Sequence, residues 1–257
     1  VNRRDFDAAK VTRQCATFIK GVIENAKADG VVIGLSGGLD SAVVAALCVK
    51  AIGNMKVHAA LLPIDTTERN SFKRARELAN RLNVDTTYIP LAPHIAPFGF
   101  QDRVRHGNIS ARLRMIIQYD MAKAVNCLVA GTENKSEYLM GYFTLHGDGA
   151  CDFSPIRDLY KTEVRWLAEY LDVPQEIRDA APSAELWDGQ TDETEMGVTY
   201  DQIDEYFYRV FNTRDKLVDI RRDIGADVVK VIEDRHKATH YKRADSPVCF
   251  INRGKLK

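Results

Sequence analysis

The chain has 257 residues, 45% of them apolar, enough to build the core of one α/β domain. Its 36 basic and 36 acidic residues cancel, which argues against broad nucleic-acid binding, because that needs a dense cationic face. Its 5 cysteines are scattered without a CxxC pair, so neither a zinc site nor a disulfide framework is indicated; with no signal peptide, transmembrane run or lipidation motif legible, the expected setting is a reducing cytoplasm.

Residues 6–26 read as a helix with Phe18, Val22 and Ile23 on one face. Residues 31–35 form an apolar run of strand length, followed by a glycine-rich turn and by 42–49, which reads as a buried helix. A second strand spans 56–62 and ends at Pro63, and a charged amphipathic helix covers 67–82. A third strand covers 84–89, and 92–100, with Pro93 and Pro97, reads as a loop. Residues 107–125 predict a helix whose Ile109, Leu113, Ile116, Ile117 and Met121 share a face, and 127–130 a fourth strand. Cys48 and Cys127 lie in apolar elements and are expected as buried packing residues. A later helix covers 162–170. The acidic, polar span 181–199, broken by Pro182, Gly189 and Gly197, reads as a lid-like loop. From residue 200 the chain reads as helical, with a basic end at 237–243. Alternating strands and helices predict a doubly wound, mainly parallel sheet with helices on both faces, in a single domain over 1–257. Such sheets bind ligands at the carboxyl ends of their strands, so 34–41 and 131–137 are expected to face one pocket.

The turn Gly34-Leu35-Ser36-Gly37-Gly38-Leu39-Asp40-Ser41 lies between a strand and a helix. Its glycines let backbone N–H groups turn inward, and the helix start adds positive potential, which suits phosphate or pyrophosphate. It is not a Walker loop: Leu39 and Asp40 stand where a lysine and a hydroxyl residue are needed. The glycine spacing also fails the dinucleotide fingerprint. Asp40 beside polyphosphate is repulsive unless a divalent cation bridges the two.

This turn resembles the pyrophosphate loop of the N-type ATP pyrophosphatases, which activate an oxygen by transferring AMP to it. Later blocks narrow the resemblance: Gly131-Thr132-Glu133-Asn134-Lys135-Ser136-Glu137, Gly147-Asp148-Gly149-Ala150-Cys151-Asp152, Pro155-Ile156-Arg157-Asp158-Leu159-Tyr160-Lys161-Thr162-Glu163-Val164, Gln190-Thr191-Asp192-Glu193 and Gly197-Val198-Thr199-Tyr200-Asp201-Gln202-Ile203-Asp204. In this order they resemble the NAD synthetases over nearly the whole chain, in the short form that lacks an amidase domain, uses free ammonia and forms a homodimer. The resemblance implies an adenine nucleotide alpha hydrolase-like fold. It also implies the reaction of ATP, deamido-NAD and ammonia to NAD, AMP and pyrophosphate through an acyl-adenylate.

By the same resemblance Ser36, Gly37, Gly38, Asp40 and Ser41, within the loop Gly34–Ser41 that includes Leu35 and Leu39, would cradle ATP phosphates. Asp40 and Glu137 would hold magnesium. Thr132, Lys161 and Ser183 would contact ATP, with Lys161 and Asp40 the catalytic charges; Ser183 stands where the family usually has threonine. Arg112, Asp152, Tyr241 and Lys242 would contact deamido-NAD, with Arg112 preferred to Arg114. Two departures bear on that substrate. Leu145 replaces a lysine, with His146 beside it as a substitute, and His236-Lys237 offers a second register to Tyr241-Lys242. Trp187 would be hydrophobic cover in the lid, and His58, His94 and His106 show no ligand spacing. The alternatives are another N-type pyrophosphatase amidating or thiolating a nucleotide or tRNA, and a nucleotide-binding module without catalysis.

Overall fold

The computed structural model describes residues 5–64, 70–99, 102–183 and 189–251. Its centre is a four-stranded parallel sheet in the order β3-β2-β1-β4, formed by β1 (Gly30–Gly34), β2 (Val57–Leu61), β3 (Asp85–Tyr88) and β4 (Cys127–Ala130). Strand side chains alternate between faces. Val31, Ile33, Val57 and Ala59 therefore join one apolar cluster, whereas Val32 and Ala60 belong to two others across the sheet. The first cluster is completed by α1 (Ala8–Ala26), α2 (Leu39–Ile52), α3 (Asn70–Leu82), α7 (Lys161–Tyr170) and α8 (Gln175–Arg178), and the opposite face by α5 (Arg103–Ala124). With both faces covered, β1, β2 and β4 are largely apolar, as a doubly wound sheet requires, whereas the edge strand β3 is polar and mostly exposed.

The ends of these helices follow local chemistry. The Asp7 carboxylate accepts from Lys10 N at 2.9 Å and starts α1, and Asp102 accepts from Arg105 N at 2.7 Å and starts α5. The α5 cap places its start four residues before the expected one. Ile109, Leu113, Ile117 and Met121 pack inward at i, i+4 spacing, but Ile116 is exposed, so it does not belong to that face. Buried Cys48 and Cys127 are packing residues, and burial pushes the Cys48 thiol up to about 12.

Two expected loops differ. In 92–100, α4 (Ala92–Ile95) and a 3-10 turn over Ala96–Phe98 each carry proline in the first turn, where its missing N–H costs nothing. Pro93 and Pro97 thus begin helices rather than break them; Phe100 lies outside the described residues. In 181–199, α9 (Asp192–Met196) is a helix capped by the Thr191 hydroxyl, and Gln190, Asp192, Met196 and Val198 are buried. Met196 and Val198 dock into a further apolar cluster with Tyr200, Ile203, Phe207 and Ile232. That cluster joins α10 (Tyr200–Asn212), α11 (Leu217–Ile224) and α12 (Ala226–Ala238) to the end of α6 (Lys135–Met140). Trp187 lies outside the described residues. Among the described residues no helix is long and apolar enough to cross a membrane.

Candidate active site

The chain runs from β1 through β2 to β3 on one side, then returns to place β4 on the other side of β1. The carboxyl ends of β1 and β4 therefore flank the switch point, where such sheets open a crevice. A cavity of about 780 Å³ lies there, lined from both ends by Gly34, Leu35, Ser36 and Gly38 to Ser41, Gly37 standing behind them, and by Gly131, Thr132 and Glu137. This is the size class of a nucleotide site.

The turn after β1 is built by its own hydroxyls. Gly38 N donates to Ser36 Oγ at 3.2 Å, the Ser36 and Ser41 hydroxyls are 3.0 Å apart, and Ser41 Oγ donates to Gly38 O at 3.0 Å. Gly37 has φ +83°, and a Cβ there would stand 2.0 Å from Ser71 O in α3 (Asn70–Leu82), so only glycine fits. Gly38 caps α2 with no side chain of its own, leaving the first N–H groups of that helix for a ligand.

Asp40, in the first turn of α2, meets residues from two other helices. Asn134 caps α6 and donates from Nδ2 to Asp40 Oδ1 at 3.0 Å. Glu137 closes the same capping box, its Oε2 accepting from Asn134 N at 3.3 Å. Lys161 begins α7 and is 3% exposed; its ammonium donates to Asp40 Oδ2 and, at 3.2 Å, to Glu137 Oε1. Its backbone N–H is fixed at 2.9 Å by Ser136 Oγ, which itself donates to buried Asp204. Burial pushes the Glu137 carboxyl up to about 7, against the pull of Lys161. Burial also disfavours the Lys161 ammonium, but Asp40 and Glu137 outweigh it and hold its pKa above the usual lysine value. One cation thus bridges two largely buried carboxylates, and these hard oxygen donors converge on a single point. Among the described residues no group of three or more His, Cys, Asp or Glu is arranged to hold a metal, so a divalent ion here would need oxygens from a ligand or water.

The expected residues divide by position. The loop residues Gly34, Leu35, Ser36, Gly38, Leu39, Asp40 and Ser41 line the cavity, as do Thr132, Glu137, Lys161, Ser183 and Lys242. Lys242 donates to Gly141 O at 2.8 Å and Phe143 O at 2.6 Å and lies over the Phe143 ring. Tyr241 is exposed, and the His236 ring is engaged with Leu139 O at 2.7 Å, away from the lining. Arg112 and Asp152 also stand outside the lining. The Arg112 guanidinium donates to Leu145 O at 3.2 and 3.3 Å, and Asp152 Oδ2 accepts from Val129 N at 2.7 Å. Arg114, two residues on, does line the cavity and donates to Leu62 O at 3.1 Å.

Three residues of the site were not expected from sequence: Asn134, Asp192 and Tyr200. Tyr200 is fully buried, its ring under the Lys161 ammonium at 4.8 Å and its hydroxyl 3.1 Å from Glu137 Oε1 and 2.9 Å from Asp192 Oδ2. The signal for Asn134 was the Asn-x-x-Glu capping pattern before a helix. Tyr200 had the weaker signal of following a Thr-x-x-Gln cap. Asp192 had none.

Comparison with known proteins shows the family and the fold. An NH(3)-dependent NAD(+) synthetase of Archaeoglobus fulgidus is 45% identical over 201 residues, 76% of this chain and 81% of that protein. The structure of an NH3-dependent NAD synthetase from Campylobacter jejuni superposes with a TM-score of 0.82 at 32% identity, covering 95% of this chain and 100% of the other. That of an NMN synthetase from Francisella tularensis does so with a TM-score of 0.85 at 38% identity, covering 96% and 100%. A family model described as NAD synthase matches residues 11–246. With its phosphate-type turn, its lysine-bridged carboxylate pair and a match along nearly all of its length, the chain belongs to the NAD synthase family.

Proposed function

We propose that this chain amidates a nicotinate nucleotide, deamido-NAD, with ammonia at the expense of ATP, releasing NAD, AMP and pyrophosphate. The observation that carries the reading is the Asp40–Lys161–Glu137 cluster, which joins the glycine turn to the ends of two other helices in one cavity. In the first step a nicotinate carboxylate oxygen attacks the α-phosphorus, and the bond to the pyrophosphate oxygen breaks. In the second, ammonia attacks the acyl carbon, the C–O bond to AMP breaks and a proton is released.

The turn N–H groups and the Ser36 and Ser41 hydroxyls bind the pyrophosphate end of ATP. Lys161 turns from Asp40 and Glu137 toward the phosphates, supplying positive charge as negative charge develops on the leaving group. Asp40 and Glu137 would hold a magnesium ion, which when bound neutralises the pyrophosphate. Thr132 and Ser183 orient the nucleotide, and residues 181–183 and 189–199 cover the site against water, which would hydrolyse the adenylate. Support for that cover comes from Pro182 and Ser183 on one side and Gln190 and Asp192 on the other, all lining the cavity. The family resemblance further supports a cytoplasmic homodimer.

A second reading concerns the nucleotide. Two residues expected on deamido-NAD are engaged within the chain, Arg112 with Leu145 O and Asp152 with Val129 N, and Leu145 replaces a cationic contact. A fold neighbour carries the name NMN synthetase. These observations favour testing nicotinate mononucleotide as substrate beside deamido-NAD. The test is amidation of each by the purified protein with ATP, magnesium and either ammonium or glutamine. Ammonium-dependent NAD is the expected product. Higher kcat/KM for the mononucleotide would move the reading to the second substrate, and glutamine-dependent amidation would overturn the ammonia reading.

A further inference from the structure

Two side chains of α10 reach the site from one face of the helix. Tyr200 and Asp204 stand four residues apart, about one helical turn, and both are buried. The Tyr200 ring carries the Lys161 ammonium at 4.8 Å. Asp204 holds the backbone of the same lysine and of its neighbour. Its Oδ2 accepts from Thr162 N at 2.8 Å, and its Oδ1 accepts from Ser136 Oγ, which in turn accepts from Lys161 N at 2.9 Å. The residue is 1% exposed and stands behind the cavity lining, so its carboxylate serves these groups rather than a ligand.

The first N–H groups of a helix have no partner within it. The first turn of α7 gives two of them to this network, and the Ser136 hydroxyl of α6 adds its proton. The donations run in one direction and end on Asp204, where an ionised carboxylate can accept at both oxygens. An amide would keep one oxygen for Thr162 N, but its NH2 would face Ser136 Oγ, which already accepts from Lys161 N and still has a proton to place. Burial raises the Asp204 carboxyl above the usual aspartate value, and Ser136 and Thr162 pull it back. The helices so joined are rooted in different cores. Val164, Leu167 and Ala168 anchor α7 in the cluster against the sheet, whereas Ile203 and Phe207 anchor α10 in the cluster that also receives Met140 of α6. Apolar packing is non-directional, so the register between these helix ends falls to the buried polar network.

From this we infer that Asp204 is a positioning residue for Lys161: through Ser136 and the first turn of α7 it sets how the lysine ammonium stands between Asp40 and Glu137. The inference rests on the role given to Lys161 above and adds to it the side chain that places the cation. With Tyr200 under the ammonium and Asp204 on the backbone, one face of α10 governs both ends of the same lysine.

The test is a double-variant cycle on the intact protein. AMP release from ATP, with deamido-NAD, magnesium and ammonium present, is measured for the wild type, Asp204→Asn, Lys161→Met and the two combined. Misplacing Lys161 lowers kcat roughly tenfold to a hundredfold in Asp204→Asn, with KM for ATP little changed. In the Lys161→Met background the same substitution costs nothing further, because the group it places is gone. A carboxylate that only supports the fold would lower kcat by the same factor in both backgrounds, and that result overturns the inference, as does an unchanged kcat in Asp204→Asn. Ser136→Ala, a smaller change, gives the same pattern and carries the cycle if Asp204→Asn does not fold. Two readouts need no turnover. In the wild type the Lys161 and Thr162 amides exchange hydrogen slowly, unlike N–H groups left open in a helix first turn. In crystals of Ser136→Ala the Lys161 ammonium leaves its position 3.2 Å from Glu137 Oε1. Fast exchange at both amides, or an unmoved ammonium in those crystals, overturns the inference. If the wild type releases no AMP, the proposed function fails instead, and these two readouts still decide what places Lys161.

Discussion

Replacing Lys161 by methionine removes the cation that two carboxylates share while keeping most of the side-chain volume. Asp40 and Glu137 are 16% and 15% exposed, so water screens them little once the ammonium is gone. At a pH alkaline enough to keep both ionised, two carboxylates held one ammonium's width apart repel by about 3 kcal/mol at an effective dielectric near 20. A comparable loss, about 3–5 kcal/mol, is usual when one partner of a buried ion pair is removed. For a chain of this length about 3 kcal/mol lowers the melting temperature by roughly 6–12 °C. Turnover falls further, on the order of a thousandfold, because charge on the leaving pyrophosphate loses a preorganised cation. The diagnostic result comes from the double variant Lys161→Met with Asp40→Asn. Neutralising one carboxylate removes the repulsion, so most of the lost melting temperature returns while activity stays low. Calorimetry and AMP release from ATP read the two effects separately. If the stability losses of the single variants simply add in the double variant, Lys161 does not bridge these carboxylates and the electrostatic account of the site fails.

Asp40→Asn alone is expected to lower AMP formation on the order of a thousandfold with the fold retained, checked by circular dichroism; near-normal turnover would remove Asp40 from the chemistry. Burial holds the Glu137 carboxyl near 7, above its unfolded value, so the free enzyme is protonated there in mild acid. The stability linked to this proton is fully present below the usual glutamate pKa and is lost as pH rises through about 7. Magnesium-dependent ATP binding has the opposite sign, strengthening over the same interval as the carboxylate ionises, and Glu137→Gln should flatten both curves in calorimetric titrations. Gly37→Ala drives a Cβ to within 2.0 Å of Ser71 O at a positive φ, so ATP affinity should collapse along with local stability, as a thermal melt with and without ATP would show. Hydrogen exchange at Gly189–Glu195 should slow when ATP and deamido-NAD are bound together; equal exchange with and without ligands would remove the cover over the adenylate.

The sheet was legible because its information is local and periodic. Four segments of strand length, three of them apolar and the third rich in threonine, became four parallel strands. The reversal that opens the cavity follows from β4 pairing with β1 rather than β3. The phosphate turn was legible for a similar reason: Ser36, Gly37, Gly38 and Ser41 make their contacts within a few residues of one another. Pairings across long separations were much harder to read. Asn134 reaches Asp40 across 94 positions, and Tyr200 reaches Glu137 across 63. Nothing in the spacing of Asp192 marks it as a site residue, since its burial depends on α9 docking through Met196 and Val198. That docking also explains why 181–199 read as a loop: a five-residue helix anchored by two apolar side chains carries almost no periodic signal. The prolines of 92–100 misled in the other direction, because proline punctuates loops and opens helices alike.

The central claim is that a nicotinate carboxylate oxygen attacks the α-phosphorus of ATP in the cavity between β1 and β4. Deamido-NAD labelled with oxygen-18 in that carboxylate, incubated with the protein, ATP, magnesium and ammonium, tests it directly. The account predicts NAD and AMP in equal amounts, with one labelled oxygen carried into each AMP by the broken acyl bond. Unlabelled AMP, or label in pyrophosphate or inorganic phosphate, would contradict it.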